Sequence, residues 1–150
     1  MIDYDDWTEK PIPEIDPESE EYWAAANDGE LVVQHCADCS ERQLYPRRLC
    51  RNCWSRDLTF EAVEGTGTLY SYSRNHVRGQ PGYDEETPYV VALVELDLPA
   101  ENPSGRPVRM TSHVVDCEYE DLSVDQPLEV DFRRISENPE VHLPVFRPQE

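Results

Sequence analysis

The stretch "HCADCSERQLYPRRLCRNCWS", residues 35–55, carries four of the chain's five cysteines as two C-x-x-C pairs. Cys36 and Cys39 form the first pair and Cys50 and Cys53 the second, with ten residues between the pairs. Each C-x-x-C turn brings two thiolates to one side of a tight knuckle. Two facing knuckles make a tetrahedral four-sulfur cage that suits Zn²⁺. All four positions are then sulfur and none is left for water, so the metal is structural and its binding supplements the core. The same thiolates can hold iron in a rubredoxin-like cage, and a disulfide is the remaining alternative. His35 adjoins Cys36 and is read as a neighbour, not a ligand. Cys117, alone in a strand-like run, is read as a small buried residue. A glycine commonly follows the second cysteine of such a knuckle. Ser40 and Trp54 stand there instead, which predicts less regular knuckles, with Trp54 placed to cover the metal.

The surrounding charge sets the stretch apart. The chain has 150 residues and a net charge of -19. Residues 1–30 carry -10, residues 31–60 carry +2, residues 61–80 balance, and residues 81–150 carry -11. Arg42, Arg47, Arg48, Arg51 and Arg56 therefore make the one basic region, around a cage whose four thiolates and metal sum to about -2. They either balance the cage or receive an anion. So acidic a chain repels a nucleic-acid backbone over most of its surface. The longest apolar run, "YVVALVEL", is far shorter than the roughly 20 residues of a membrane span. The N-terminus "MIDYDDWTEKPIPEID" lacks the basic-then-apolar order of a secretion signal. These features predict a cytoplasmic protein without a membrane segment, where paired cysteines hold metal more often than they form disulfides.

The elements that position the cysteines follow from local patterns. Residues 1–15 are acidic and broken by prolines, which predicts an extended arm. "DPESEEYWAAANDGEL" reads as a helix: Asp16 caps it, Pro17 suits its first position, early glutamates favour the positive end of its dipole, and Gly29 stops it. Tyr22, Trp23 and Ala26 form an apolar stripe that packs on its own domain or docks on a partner. Short strands then surround the cysteines. Five strand runs follow: "GTGTLYSYSRNHV", "PYVVALVELD", "VRMTSHVVD", "PLEVDFRRI" and "VHLPVF". Gly65 and Gly67 permit the bend that closing a barrel needs. The expected architecture is mainly β: an acidic arm and helix over 1–30, a rubredoxin-like zinc ribbon over 31–60, and a five-stranded OB-fold barrel over 61–150.

The order of these features resembles the DUF35 family, in which a rubredoxin-like zinc ribbon precedes an OB-fold. The resemblance runs from about Glu20 to Pro148 and is carried by "YWAAANDGELVVQHCADC", "YPRRLCRNC", "GTGTLYSYSRNHV", "PYVVALVELD" and "LPVFRP". The family usually has a proline pair where this chain has Tyr45-Pro46, and glycine where it has Ser40 and Trp54. The resemblance implies a noncatalytic accessory subunit of a thiolase-like enzyme acting on acyl-CoA thioesters. Such a subunit stabilises the complex and helps hold the coenzyme A end, while the catalytic residues belong to the enzyme.

A diphosphate-bearing ligand needs cations, and arginine forks suit phosphate oxygens. Regular alternation along "LYSYSRNHVR" would place Tyr70, Tyr72, Arg74, His76 and Arg78 on one face. With Arg47 and Arg48 they are the candidates for coenzyme A or partner contact, and the alternative is an ordinary barrel face. The loop from Arg78 to Pro88, with Gly79, Pro81 and Gly82, is expected to be turn-rich and mobile. The chain shows no catalytic set: its histidines (His35, His76, His113 and His142) are scattered, and no nucleophile elbow or phosphate loop occurs. Two other functions stay open. One is a nucleic-acid-binding ribbon and barrel, and the other a rubredoxin-like electron carrier.

Overall fold

The computed structural model describes residues 10–79 and 82–149. Residues 1–9 of the expected arm, and Gln80 and Pro81 of the expected loop, lie outside the described residues. The arm's end is not loose: Lys10 is buried, with its Nζ 2.6 Å from Glu86 and 2.9 Å from the Gly82 carbonyl.

Helix α1 spans Glu20–Asn27. The Asp16 carboxylate accepts from the Ser19 N–H at 2.8 Å, so Asp16 caps the turn that leads into the assigned helix. At the other end Gly29 takes φ +79°. Its N–H donates to Ala26 at 3.0 Å and that of Glu30 to Ala25 at 2.9 Å, the paired bonds of a Schellman stop. Tyr22 and Ala26 are buried within the molecule, so the apolar stripe packs on its own chain and is not left for a partner. Asn27 fastens the helix to the last strand through the Glu140 carbonyl and the His142 N–H.

Strands β1 (Val32–Cys36), β2 (Arg42–Gln43) and β3 (Leu58–Ala62) form the ribbon sheet, in the order β2-β1-β3. Strands β4 (Thr66–Asn75), β5 (Tyr89–Leu96), β6 (Arg109–Val114), β7 (Pro127–Glu137) and β8 (Glu140–Pro148) close into a barrel in the order β4-β5-β6-β8-β7. This is the mainly β, OB-type architecture that the strand runs predict. β5 alternates strictly between half-buried and buried positions, with Val90, Ala92, Val94 and Leu96 inward. Leu69, Leu128 and Phe146, each 0% exposed, fill the centre. Each contributes about 1.5–3 kcal/mol by leaving water.

Gly67 shows why the barrel can close. It pairs with Leu96 of β5 on one side and Leu128 of β7 on the other. A Cβ at this position would lie 2.5 Å from the Glu95 carbonyl oxygen. Only glycine lets β5 approach this closely here.

The ribbon is joined to the barrel by the connection from β5 to β6. Asn102 on that connection is buried. Its Oδ1 accepts from the Arg42 N–H at 2.8 Å, and its Nδ2 donates to the Arg42 and Arg106 carbonyls at 2.9 Å. A side chain from the barrel thus completes the edge of β2. At the described parts of the loop from Arg78 to Pro88, the Gly79 N–H donates to Asp84 at 2.7 Å, and Lys10 bonds the Gly82 carbonyl and Glu86.

Candidate functional site

The two cysteine knuckles are near copies of each other. In the first, the Ser40 N–H donates to the Cys36 carbonyl and the Cys36 N–H to the Glu41 carbonyl, both at 2.9 Å. In the second, Trp54 donates to Cys50 at 3.0 Å and Cys50 to Ser55 at 2.9 Å. Ser40 and Trp54 take φ of 68° and 67°, so both accept the left-handed backbone that glycine ordinarily supplies. The knuckles are therefore regular despite the missing glycines, at a cost of about 1–2 kcal/mol for each non-glycine residue.

The four Sγ atoms lie within 4.8 Å of one another. Cys36 to Cys53 and Cys39 to Cys50 are each 3.6 Å. A tetrahedral Zn²⁺ with ordinary Zn–S bonds requires sulfurs about 3.8 Å apart, so the set fits that ion. Burial opposes ionisation of Cys36, but the Cys39 and Asp38 N–H groups and the Cys53 and Cys39 thiols outweigh it and bring the Cys36 thiol down to about 7. Cys53 goes the other way. The Ser55 N–H lowers it, but desolvation and the thiols of Cys36, Cys39 and Cys50 push it up to about 12. Four thiolates this close do not all ionise unless a cation neutralises them. The Asn52 N–H donates to Cys50 Sγ at 3.3 Å and so helps orient that ligand. Cys117 is half-buried against the core, and burial with Asp116, Glu118 and Asp121 pushes its thiol up, which suits an inert residue.

Behind the cage lies a buried polar network. Gln43 Nε2 donates to Gln34 Oε1 at 2.8 Å and to the Leu49 carbonyl at 3.1 Å, while its Oε1 accepts from the Arg51 N–H at 2.7 Å. Gln34 holds the Arg47 backbone through both its N–H and its carbonyl, each at 2.8 Å. Glu41 is 0% exposed. It accepts from Arg51 Nε at 2.9 Å and from the Ser104 hydroxyl of the barrel at 2.7 Å. Burial alone would raise the Glu41 carboxyl, but Ser104 and Arg51 outweigh it and hold the group below the usual carboxylate range. The loop between the two knuckles is thus fixed from inside, with Arg47 and Arg48 presented outward.

The arginines divide into two groups. Arg42 pairs with Glu61, Arg48 with Glu18, Arg51 with Glu41 and Arg74 with Glu120. Only Arg47, Arg56, Arg78 and Arg106 lack a carboxylate partner among the described residues. A groove of about 520 Å³ is lined by Arg47, Arg48, Arg56, Leu58 and Phe60. A neighbouring groove of about 470 Å³ shares Arg47 and Arg48 and reaches Arg51, Trp54 and Arg106. Trp54 is 75% exposed, so it does not close over the metal as the sequence reading expects.

The β4 candidates do not share one face. The register slips between Leu69 and Ser71, leaving Tyr70 as the extra residue of a bulge. Tyr70 lies outside, under the Arg109 guanidinium at 3.7 Å. Tyr72 and Arg74 then fall on the barrel side: Tyr72 donates to the Leu122 carbonyl at 3.0 Å, and both side chains contact the Tyr119 ring. His76 and Arg78 lie beyond the strand's end at Asn75 and are exposed. Arg78 lines a separate groove of about 410 Å³ with Asn75, Tyr83, Tyr89 and His113. The His113 ring stacks on Tyr89 at 4.8 Å, and burial together with nearby Lys10 brings it down to about 4. His142 is bound to Asn27, and His35 sits in β1 opposite Arg42.

Sequence reasoning missed Arg106, Glu41 and Asn102. The last two are acidic or amide residues among many, and nothing local marks them as buried. Trp54 carried a signal, an aromatic residue where glycine is easiest, but its exposure needed the fold.

Comparison with known proteins gives a consistent picture. The family model for the ChsH2 rubredoxin-like zinc ribbon domain matches residues 23–59, and that for the ChsH2 C-terminal OB-fold domain matches residues 60–133. A probable enoyl-CoA hydratase alpha subunit of Thermomonospora curvata is 33% identical over 139 residues, covering 93% of this chain; the chain spans 40% of that relative's length. A DUF35 domain-containing scaffold protein of Methanocaldococcus jannaschii is 33% identical over 110 residues, covering 72% of this chain and 71% of that protein. Among solved structures, a chain of the Ltp2-ChsH2(DUF35) aldolase is similar at TM-score 0.74 and 33% identity, over 91% of this chain and 98% of that one. A DUF35 protein of Sulfolobus solfataricus, at 13% identity and TM-score 0.52 over 89% of this chain and 86% of that one, shares the fold.

Proposed function

This chain belongs to the DUF35 family of zinc-ribbon and OB-fold proteins, and from that premise we propose that it is a noncatalytic accessory subunit of a thiolase-like enzyme acting on acyl-CoA thioesters. The observation that carries this reading is the likeness, over nearly the full length of both chains, to a component of the Ltp2-ChsH2(DUF35) aldolase. The chemistry of the chain agrees with it. The cysteine cage has four protein ligands and no open position, so Zn²⁺ bound there would hold the ribbon without activating water or substrate. Cys36, Cys39, Cys50 and Cys53 would hold it. The buried network behind it keeps the loop between the knuckles in one shape, which suits a surface that another subunit must recognise.

Coenzyme A contact, in this reading, falls to the groove at the end of β4. Arg78 there has no carboxylate partner among the described residues and stands beside the stacked Tyr89 and His113 rings. A guanidinium beside aromatic faces suits a phosphate attached to an adenine. Tyr72 and Arg74 are engaged with Tyr119 and Glu120, so they are weaker candidates. Arg78→Ala is expected to weaken a coenzyme A titration of the complex, and unchanged affinity removes this assignment.

The net charge of -19, with most arginines already paired to carboxylates, weighs against nucleic acid as the ligand. Affinity capture of the tagged chain from its own host, with mass identification, tests the main reading. A thiolase-like enzyme in stoichiometric amount is the expected companion. A chain that emerges alone, or with only nucleic acid, contradicts it.

A further inference from the structure

The indole of Trp54 sits where two features are unfavourable at once. The backbone is left-handed at φ 67°, which disfavours any side chain, and the ring is 75% exposed, which leaves its apolar surface in water. The matching position of the first knuckle, with φ 68°, carries the small Ser40. Among the described residues, no ring contact or core cluster includes the larger residue at position 54. The charge around it is also exceptional. Of the four arginines without a carboxylate partner among the described residues, Arg47, Arg56 and Arg106 line the two adjoining grooves on this face.

Resting on the accessory-subunit reading, we propose that the ribbon face centred on Trp54 is the surface on which the partner enzyme docks. The indole enters an apolar pocket of the partner, and Arg47, Arg56 and Arg106 meet carboxylates around it. An exposed tryptophan sharing a groove with Arg47, Arg48, Arg51 and Arg106 has the composition of an interface hot spot. The face is also rigid before binding: Gln34 and Gln43 hold the loop backbone, and Glu41 holds Arg51. The layout favours a protein over a small phosphate ligand. Arg56 lines only one groove and Arg106 only the other, so the free guanidinium groups are spread along a surface and do not converge on one anion. Free cations on this face of a -19 chain select a partner surface of opposite sign.

The test measures binding of zinc-loaded variants to the thiolase-like enzyme that is co-expressed from the same host. Trp54→Ala is expected to weaken binding about 30-fold, the loss typical of a hot-spot residue. Trp54→Gly should lose binding equally while its melting temperature stays equal or rises, because glycine relieves the left-handed backbone. Arg47→Glu and Arg106→Glu should slow association, and Val124→Ala, exposed at 58% on the barrel, should change nothing. Binding by Trp54→Ala within about twofold of wild type overturns this proposal alone. Trp54-dependent self-association, or Trp54-dependent retention of an oligonucleotide, overturns it in favour of that occupant. If the wild-type chain binds no such enzyme, the accessory-subunit reading fails and this proposal fails with it.

Discussion

Replacing Glu41 with alanine should loosen the whole ribbon. Its carboxylate is 0% exposed and takes three bonds: from Arg51 Nε at 2.9 Å, the Ser104 hydroxyl at 2.7 Å and the Ser104 N–H at 3.3 Å. Arg51 is itself 15% exposed and belongs to the second knuckle, so the variant leaves a guanidinium largely desolvated without its anion. Removing one partner of a buried ion pair costs about 3–5 kcal/mol. The stranded Ser104 groups would add about 1–3 kcal/mol if they found no water. They border an exposed loop, so a total near 4 kcal/mol is expected, or about 10 °C in melting temperature for a domain of this size. The carboxyl is held below its ordinary range, so its contribution is present at neutral pH and is lost as acid protonates it. Urea unfolding of the metal-loaded protein at neutral pH, followed by far-UV circular dichroism, measures the loss. The double variant Glu41→Ala/Arg51→Ala should lose less than the two single losses together, because the unpaired charge goes too. A Glu41→Ala loss below about 1 kcal/mol, with additive double-variant behaviour, would refute the claim that this buried pair ties the two knuckles together.

Other outcomes follow from the same geometry. The purified protein should be colourless, with one zinc per chain by elemental analysis, and Cys36→Ser should release the metal and unfold the ribbon; a red, iron-loaded protein with reversible redox activity contradicts the structural-zinc account. Gly67→Ala sets a Cβ 2.5 Å from the Glu95 carbonyl oxygen and should cost about 1–3 kcal/mol in urea unfolding, whereas an unchanged midpoint shows that the strands can part there. His113 is brought down to about 4 by burial, so the unfolded chain takes up a proton before the folded one does. Its effect is absent above its ordinary value near 6.5 and grows as pH falls toward 4. His113→Phe should therefore remove about 2 kcal/mol of the stability that wild type loses between about pH 7.5 and about pH 5, and parallel profiles for the two proteins refute the assignment.

Much of this architecture can be read from local pattern, because the forces that set it are local. The cysteine spacing determines the cage, the glycines mark the helix stop and the barrel bend, and the alternation of "YVVALVEL" gives β5 its inward face. The features that escape are those where one residue's role depends on a distant one. The bulge at Tyr70 reverses the alternation of β4, so Tyr70 faces Arg109 while Tyr72 and Arg74 face Tyr119. No residue type at that position announces the slip. The Glu41–Ser104 bond joins residues 63 apart, and only the packing of the β5–β6 connection on the ribbon brings them together. Pairing also redistributes the basic stretch. Arg42, Arg48 and Arg51 are engaged with carboxylates, which leaves Arg47 and Arg56, with the distant Arg106, as the cations available around Trp54.

The most direct measurement is the mass and activity of this chain co-expressed with a thiolase-like enzyme of its host, separated on a sizing column with light scattering. The account predicts a single hetero-oligomeric species whose acyl-CoA carbon–carbon bond activity falls when this chain is withheld. Two separately eluting proteins, with enzyme activity indifferent to the presence of this chain, would contradict it.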